Sequence, residues 1–362
     1  MRNKKIIYQN AVTVNQEQWF WSENYNALYK RNLNNGVIHR MSPYERSKTA
    51  AYTKLVFYKN KLIALPYAAN QIMIYDIQNE EIRYSDIGIQ NMNYDNNVEK
   101  FYGIAVKDNW LFMIGCKTAH VLKFDMEAEL AADYVDLHTE LIPKENGIGY
   151  LRDGIVLEEK IIIPGLYENS IFEINITDLE YEKIHIDKNG LGFSTIFKAQ
   201  DEVWLFPFDE GEILQWNRQK NTIRRHCIEH LMAFKKGARN FLSAQQCRDK
   251  LWIIPRYGSR ILSYDFIENQ FSNQNAVNRY FDSINKEVFG IADEKIGQDI
   301  IFLAEQIDEL IVFCAEKDEV RVVNNDMQGA DHLEFLKNEE KKLVVFEHEM
   351  LLSDYLDFLC RI

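Results

Sequence analysis

Residues 61–84 read KLIALPYAANQIMIYDIQNEEIRY: an apolar strand, a short turn opened by proline, a second apolar strand, then a polar turn. The phrase returns at 160–184 as KIIIPGLYENSIFEINITDLEYEKI, at 203–223 as VWLFPFDEGEILQWNRQKNTI and at 250–271 as KLWIIPRYGSRILSYDFIENQF. Weaker copies are WFWSENYNALYKRNLNNGVI at 19–38, WLFMIGCKTAHVLKFDMEAEL at 110–130 and IIFLAEQIDELIVFCAEKDEV at 300–320. Short β-branched and aromatic runs, broken every ~8–12 residues by Asn, Asp, Gly or Lys, mark an all-β chain.

The copies share a register. An anchor on the third strand is held by Arg31, Tyr75, Phe124, Ile174, Trp216, Tyr264 and Phe313. The turn closing the preceding strand falls nine residues earlier at Ser22, Pro66, Gly115, Pro207, Pro255 and Ala304, and ten earlier at Pro164. Seven residues after each anchor stand Ile38, Ile82, Ala131, Tyr181, Ile223, Phe271 and Val320. A small residue opens each copy: Ala11, Thr53, Gly103, Gly149, Ser194, Ser243 and Gly290. The anchors advance in six steps averaging 47 residues, the length of one four-stranded propeller blade. Small residues suit first strands that crowd around an axis, and bulky anchors suit sheets packed face to face. The spacing therefore predicts an all-β fold, a seven-bladed β-propeller over residues 10–327. Residues 1–9 read as an N-terminal extension and 328–362 as a helical tail, with Leu352, Tyr355 and Leu359 on one apolar face.

The repeats resemble the Kelch type in divergent form. Tyr75-Asp76, Phe124-Asp125, Trp216-Asn217 and Tyr264-Asp265 match its aromatic–polar element, and Tyr181 and Phe271 stand at its tryptophan position. The Kelch glycine pair is absent, replaced mostly by proline. The resemblance implies the fold and leaves function open, since such propellers serve as adaptors, sugar-processing enzymes and scaffolds.

With 46% hydrophobic and 27% charged residues among 362, the disordered and fibrous classes are excluded. A net charge of −13 argues against a general binder of nucleic acid or anionic membrane. The N-terminal apolar run stops after Tyr8, and no stretch approaches the ~18 apolar residues of a membrane span. Five scattered cysteines without CxxC spacing read as free thiols in a reducing compartment, so the cytoplasm is expected.

Charge is unevenly spread. Residues 218–260 hold eleven basic and two acidic residues, a local +9 against −22 for the rest. Such a sector attracts an anion, unless its arginines pair with acids of neighbouring blades. The candidate ligand residues are the loop cations Lys235, Lys236, Arg239, Arg256 and Lys100 with the loop aromatics Tyr67, Tyr167 and Tyr257. His226-Cys-Ile-Glu229-His230 matches H-x-x-E-H, yet it follows a strand. Extended, its two imidazoles would stand ~13 Å apart, so no metal is expected beyond this weak pair. The acids Asp209 and Glu210, or Asp153 and Asp282, could serve glycoside cleavage only if the fold joined them. No nucleophile elbow, P-loop or dinucleotide fingerprint occurs, and no cofactor is implied. The sequence thus predicts a non-catalytic propeller recognising a protein or an anionic small molecule or carbohydrate on its loop face. The alternative is a carbohydrate-active hydrolase or lyase working at the mouth of the central channel.

Overall fold

The computed structural model describes residues 6–45, 49–88, 99–141, 149–186, 192–209 and 211–325. Seven antiparallel sheets of four strands each follow in chain order over residues 11–40, 52–86, 101–136, 155–185, 193–226, 241–272 and 290–324. Each first strand touches the first strands of both neighbouring blades, so these strands form a closed ring around the axis. The protein is a seven-bladed β-propeller.

The anchors are buried in every blade. Each also pairs across the third and fourth strands with the residue seven positions on: Arg31 with Ile38, Tyr75 with Ile82, Phe124 with Ala131, Ile174 with Tyr181, Trp216 with Ile223, Tyr264 with Phe271 and Phe313 with Val320. The displaced proline of the fourth copy has a local cause. Pro164 still pairs with Ile171, and it is Gly165, nine residues before Ile174, whose N–H reaches the Ser170 carbonyl. The register is therefore kept and only the proline has moved by one position.

One hydrogen bond recurs seven times on the face where second strands end. Glu23, Tyr67, Cys116, Leu166, Phe208, Arg256 and Glu305 donate their N–H groups to the carbonyls of Ile7, Ala51, Lys100, Tyr150, Gly192, Asn240 and Phe289, at 2.7–3.1 Å. This bond ties each turn to the segment entering its own blade and fixes the loop face. The core is likewise a ring of seven apolar clusters, each shared by two successive blades.

The small-residue series needs one correction. Ala11, Thr53, Gly103, Ser194, Ser243 and Gly290 lie on first strands, whereas Gly149 precedes its strand, Ile155–Leu157, by six residues. It has φ +131° and packs against Cys116, in a conformation that favours glycine. Gly154, immediately before that strand, is crowded as well: a Cβ there would stand 2.5 Å from Ile114 Cδ1. At Gly103 a Cβ would stand 2.9 Å from both the Arg152 carbonyl oxygen and Ile114 Cβ. Gly103→Val is accordingly expected to cost about 1–3 kcal/mol by overpacking, read as a lower denaturant midpoint. An unchanged midpoint would contradict axial crowding there.

Between blades 6 and 7 the chain forms the helix Ala276–Ser283, which the strand pattern did not reveal. Asn275 caps it by accepting from the Asn278 N–H, and Val277 and Phe281 bury in the blade 6–7 cluster. No helix among the described residues is long and apolar enough to cross a membrane. The anticipated C-terminal helix lies outside the described residues.

Candidate functional site

The loop-face mouth of the channel gathers polar side chains that enter from all seven blades. Tyr102, on the first strand of blade 3, is buried and occupies the centre. Its hydroxyl donates to Gln9 Oε1 at 2.6 Å and accepts from Arg239 Nη1 at 3.4 Å. Three cations surround its ring: the Arg152 guanidinium 3.8 Å from the centroid, Lys54 Nζ at 5.0 Å and the Arg239 guanidinium at 5.9 Å. Arg239 is further held by Thr195 Oγ1 at 3.2 Å and the Leu242 carbonyl at 2.7 Å. Deeper, Gln245 donates to Asp293 at 2.6 Å, and Thr13 and Gln18 donate to Glu294 at 2.9 and 3.0 Å.

Electrostatics at this mouth are strongly perturbed. Burial raises the Tyr102 phenol, but Arg152, Arg239 and Lys54 outweigh it and hold the group below its ordinary value. Burial raises the carboxyls of Glu23, Asp153, Asp293 and Glu294, only partly opposed by nearby cations or hydrogen bonds. A phenol shifted toward ionisation beside carboxyls shifted toward protonation is an arrangement suited to anion capture or proton transfer. The buried Nε atoms of Arg152 and Arg239 have no hydrogen-bond acceptor among the described residues. Unpaired guanidinium donors in a buried site carry a desolvation cost that an incoming anion would offset.

The residues singled out from sequence fall into separate places. Lys235 and Arg256 clasp Tyr257, with the ammonium 4.4 Å and the guanidinium 4.8 Å from its ring centroid. Arg256 also donates to the Gly290 carbonyl at 3.0 Å and pairs with Glu305 at 3.4 Å. Lys236 is exposed on the same loop, whereas Arg239 turns inward to Tyr102. Tyr67 is half-buried near Glu99 and Arg152, its phenol raised by burial first and then by Glu99. Tyr167 packs edge-on against Phe208 at 5.2 Å. Lys100 is fully buried and donates to the Ala68 carbonyl at 3.1 Å.

Much of the remaining basic sector pairs with acids. Arg218 meets Glu173 at 2.6 Å, Arg225 meets Glu212 at 3.3 Å, Arg260 meets Asp282 at 2.6 Å, and Arg248 meets Glu316. Asp282 is therefore engaged on the helix of residues 276–283, while Asp153 enters the axial cluster. Asp209 accepts from the Gly237 N–H at 2.7 Å, and Glu210 lies outside the described residues. A shallow cavity of about 360 Å3, lined by Glu202, Gln215, Thr222, Ile223 and Arg224, sits on the outer three strands of blade 5.

Lys54, Tyr102, Arg152 and Asp293 were missed from sequence. A usable signal existed: Lys54 follows Thr53 and Tyr102 precedes Gly103, so polar residues beside the small first-strand series face the axis.

His226 ends its strand stacked on Trp204, at 5.4 Å, with Nε2 2.8 Å from Gln215 Oε1, and His230 is exposed in the following turn. Burial first, then Arg224, lowers His226 to about 4. A depressed imidazole supports stability that is full above its unfolded value of about 6.5. That support is lost as the pH falls through the folded value of about 4. The stability difference between the wild type and His226→Phe should therefore be constant above neutrality and shift in favour of the variant across this window. A difference independent of pH in urea melts would contradict the assignment.

No family model and no curated protein matches the chain. Its likeness is to solved propellers. A virginiamycin B lyase from Staphylococcus aureus superposes with TM-score 0.62 at 13% identity, covering 89% of this chain and 98% of that one. The computationally designed Ika8 protein gives 0.57 at 7%, covering 90% of each chain. A chain of the mitotic checkpoint complex gives 0.59 at 9%, also covering 90% of each. At such identities the likeness speaks for the fold alone.

Proposed function

We propose that this divergent Kelch-type propeller is a cytoplasmic binding protein that takes an anionic small molecule, a phosphorylated or carboxylated sugar, at the loop-face mouth of its channel. The observation that carries the proposal is the pair of guanidinium groups, Arg152 and Arg239, flanking Tyr102 with unpaired Nε donors. Lys54 adds a third charge from another blade. The Lys235–Tyr257–Arg256 stack, with exposed Lys236, forms the outer lip of the same site, since the Arg256 charge reaches Glu23, which also feels Arg152. Planar guanidinium groups match carboxylate and phosphate oxygens, and the aromatic rings suit a sugar face.

Thermal-shift and calorimetric titration with inorganic phosphate, sugar phosphates and uronic acids at low and high salt tests this. Binding should raise the melting temperature and weaken with salt, because partly exposed charges are screened. The double change Lys236→Glu with Arg256→Glu should abolish binding if the lip belongs to the site. If no anion shifts the melting temperature, the proposal fails.

A second reading, a lyase or hydrolase acting on a carboxylated sugar, rests on the lowered Tyr102 phenol and the raised Asp153 and Asp293 carboxyls, which share Lys54 and Arg239 as neighbouring cations. That is the pairing of shifted groups general acid–base chemistry uses, and the fold likeness to a virginiamycin B lyase is compatible with it. Turnover of a bound uronic acid oligomer that disappears in Tyr102→Phe while binding persists would decide for the enzyme.

A further inference from the structure

The loop that sets Cys116 Sγ 3.7 Å from Arg152 Nη1 ends at His120, on the third strand of blade 3, where three side chains meet that the axial site does not use. We propose that His120, Asp136 and His138 bind a borderline divalent transition-metal ion, of which Zn2+ is the probe.

Sequence pairing builds the cluster. His120 opens the third strand and Asp136 closes the fourth, and they are direct cross-strand partners. Asp136 Oδ1 accepts the backbone N–H of His138 at 2.9 Å, a turn that brings the second imidazole back over the carboxylate. His120 Nε2 stands 3.6 Å from Asp136 Oδ2 and His138 Nδ1 stands 3.7 Å from Asp136 Oδ1. The three candidate donor atoms all lie within 4.8 Å of one another.

The 3.6 and 3.7 Å separations from Asp136 are too long for hydrogen bonds and close to what an ion needs. Bonds of about 2.0–2.1 Å in tetrahedral geometry place donor atoms ~3.4 Å apart. The tautomer also fits. His120 Nδ1 faces the Thr118 backbone carbonyl, so that nitrogen carries the proton and Nε2 presents its lone pair. A carbonyl holding the other ring nitrogen is the usual outer support of a metal-bound histidine. The Tyr134 and Tyr150 rings, 5.7 Å from His120 and 5.1 Å from His138, flank the two imidazoles. Two nitrogens and one carboxylate favour zinc, cobalt or nickel over calcium or magnesium, which prefer all-oxygen sites. With the Asp136 and His138 side chains about half exposed (52% and 49%), a fourth position is open to water.

Calorimetric titration of the full chain, first stripped with chelator, tests the site with Zn2+ alone. One equivalent is expected, with a rise in melting temperature. Cobalt in its place should give the intense visible absorption of a tetrahedral ion. His138→Ala should weaken affinity at least about tenfold. Asp136→Asn, whose amide oxygen can keep the His138 turn, should do the same without unfolding the blade, and His230→Ala should change nothing. Absence of stoichiometric uptake, or uptake that survives both His138→Ala and Asp136→Asn, would overturn the proposal.

Discussion

Replacing Arg31 with alanine is expected to lower the unfolding free energy by about 3 kcal/mol, because it removes the latch that closes the ring. Among the described residues every blade is built from four consecutive strands, with no strand exchanged between the first and last blades. Among these residues the ring is closed by side chains and by one parallel bridge, Asn10–Asp293. Arg31 holds the anchor position that the other six blades give to apolar or aromatic residues, and it is fully buried. Its Nη1 donates to Gln18 Oε1 at 2.7 Å, and its Nη2 donates to Asn325 Oδ1, just beyond blade 7. Asn325 in turn donates to the Ile6 carbonyl at 3.1 Å, and the guanidinium lies 4.9 Å from the Phe20 ring centroid. Alanine would leave two buried acceptors unpaired and a cavity at the seam. Arg31→Met should recover the packing part and leave the polar part lost, placing it between the two. Urea melts of the three proteins, compared at constant slope, provide the check. A midpoint shift worth under about 0.5 kcal/mol for the alanine variant, the range of ordinary surface substitutions, would contradict the latch.

At the axis, the largest effect is expected on binding. Arg152→Gln should weaken phosphate or uronate affinity by about 2 kcal/mol or more, roughly thirtyfold, since truncating a desolvated charge partner costs about 2–5 kcal/mol. Lys54→Gln should act in the same direction less strongly, as its ammonium lies farther from the Tyr102 ring than the Arg152 guanidinium does. Arg239 is a poorer test, because Thr195 and the Leu242 carbonyl also depend on it and its loss would unsettle the inner strands. Melting curves in buffer without anion separate the two effects. Lost affinity at retained stability supports the site, and unchanged affinity in Arg152→Gln contradicts it.

The fold was legible because its determinants repeat. Anchor, turn and cross-strand partner recur at fixed spacings, and even the displaced Pro164 is resolved by its neighbour Gly165. A propeller site is harder to read, since each blade contributes one or two side chains to a common centre and no local motif forms. Arg239 was picked out for its charge, yet its role comes from Tyr102, 137 residues away. The basic sector looked uniform in sequence, but Arg218 and Arg248 neutralise acids of the neighbouring blades while Arg256 and Lys235 stack on Tyr257. Sequence spacing reports the repeat; it does not report which charges the neighbouring blade has already paired. The helix Ala276–Ser283 escaped for a similar reason, as it interrupts the repeat once and is held by contacts particular to blades 6 and 7.

The most direct test of the central claim is an anomalous-difference map from crystals soaked with a heavy phosphate analogue such as tungstate. The strongest peak should lie at the loop-face mouth of the channel, within contact distance of Arg152, Arg239 and Lys54. Peaks confined to the outer basic sector of blades 5 and 6, or none on the protein, would contradict an axial anion site.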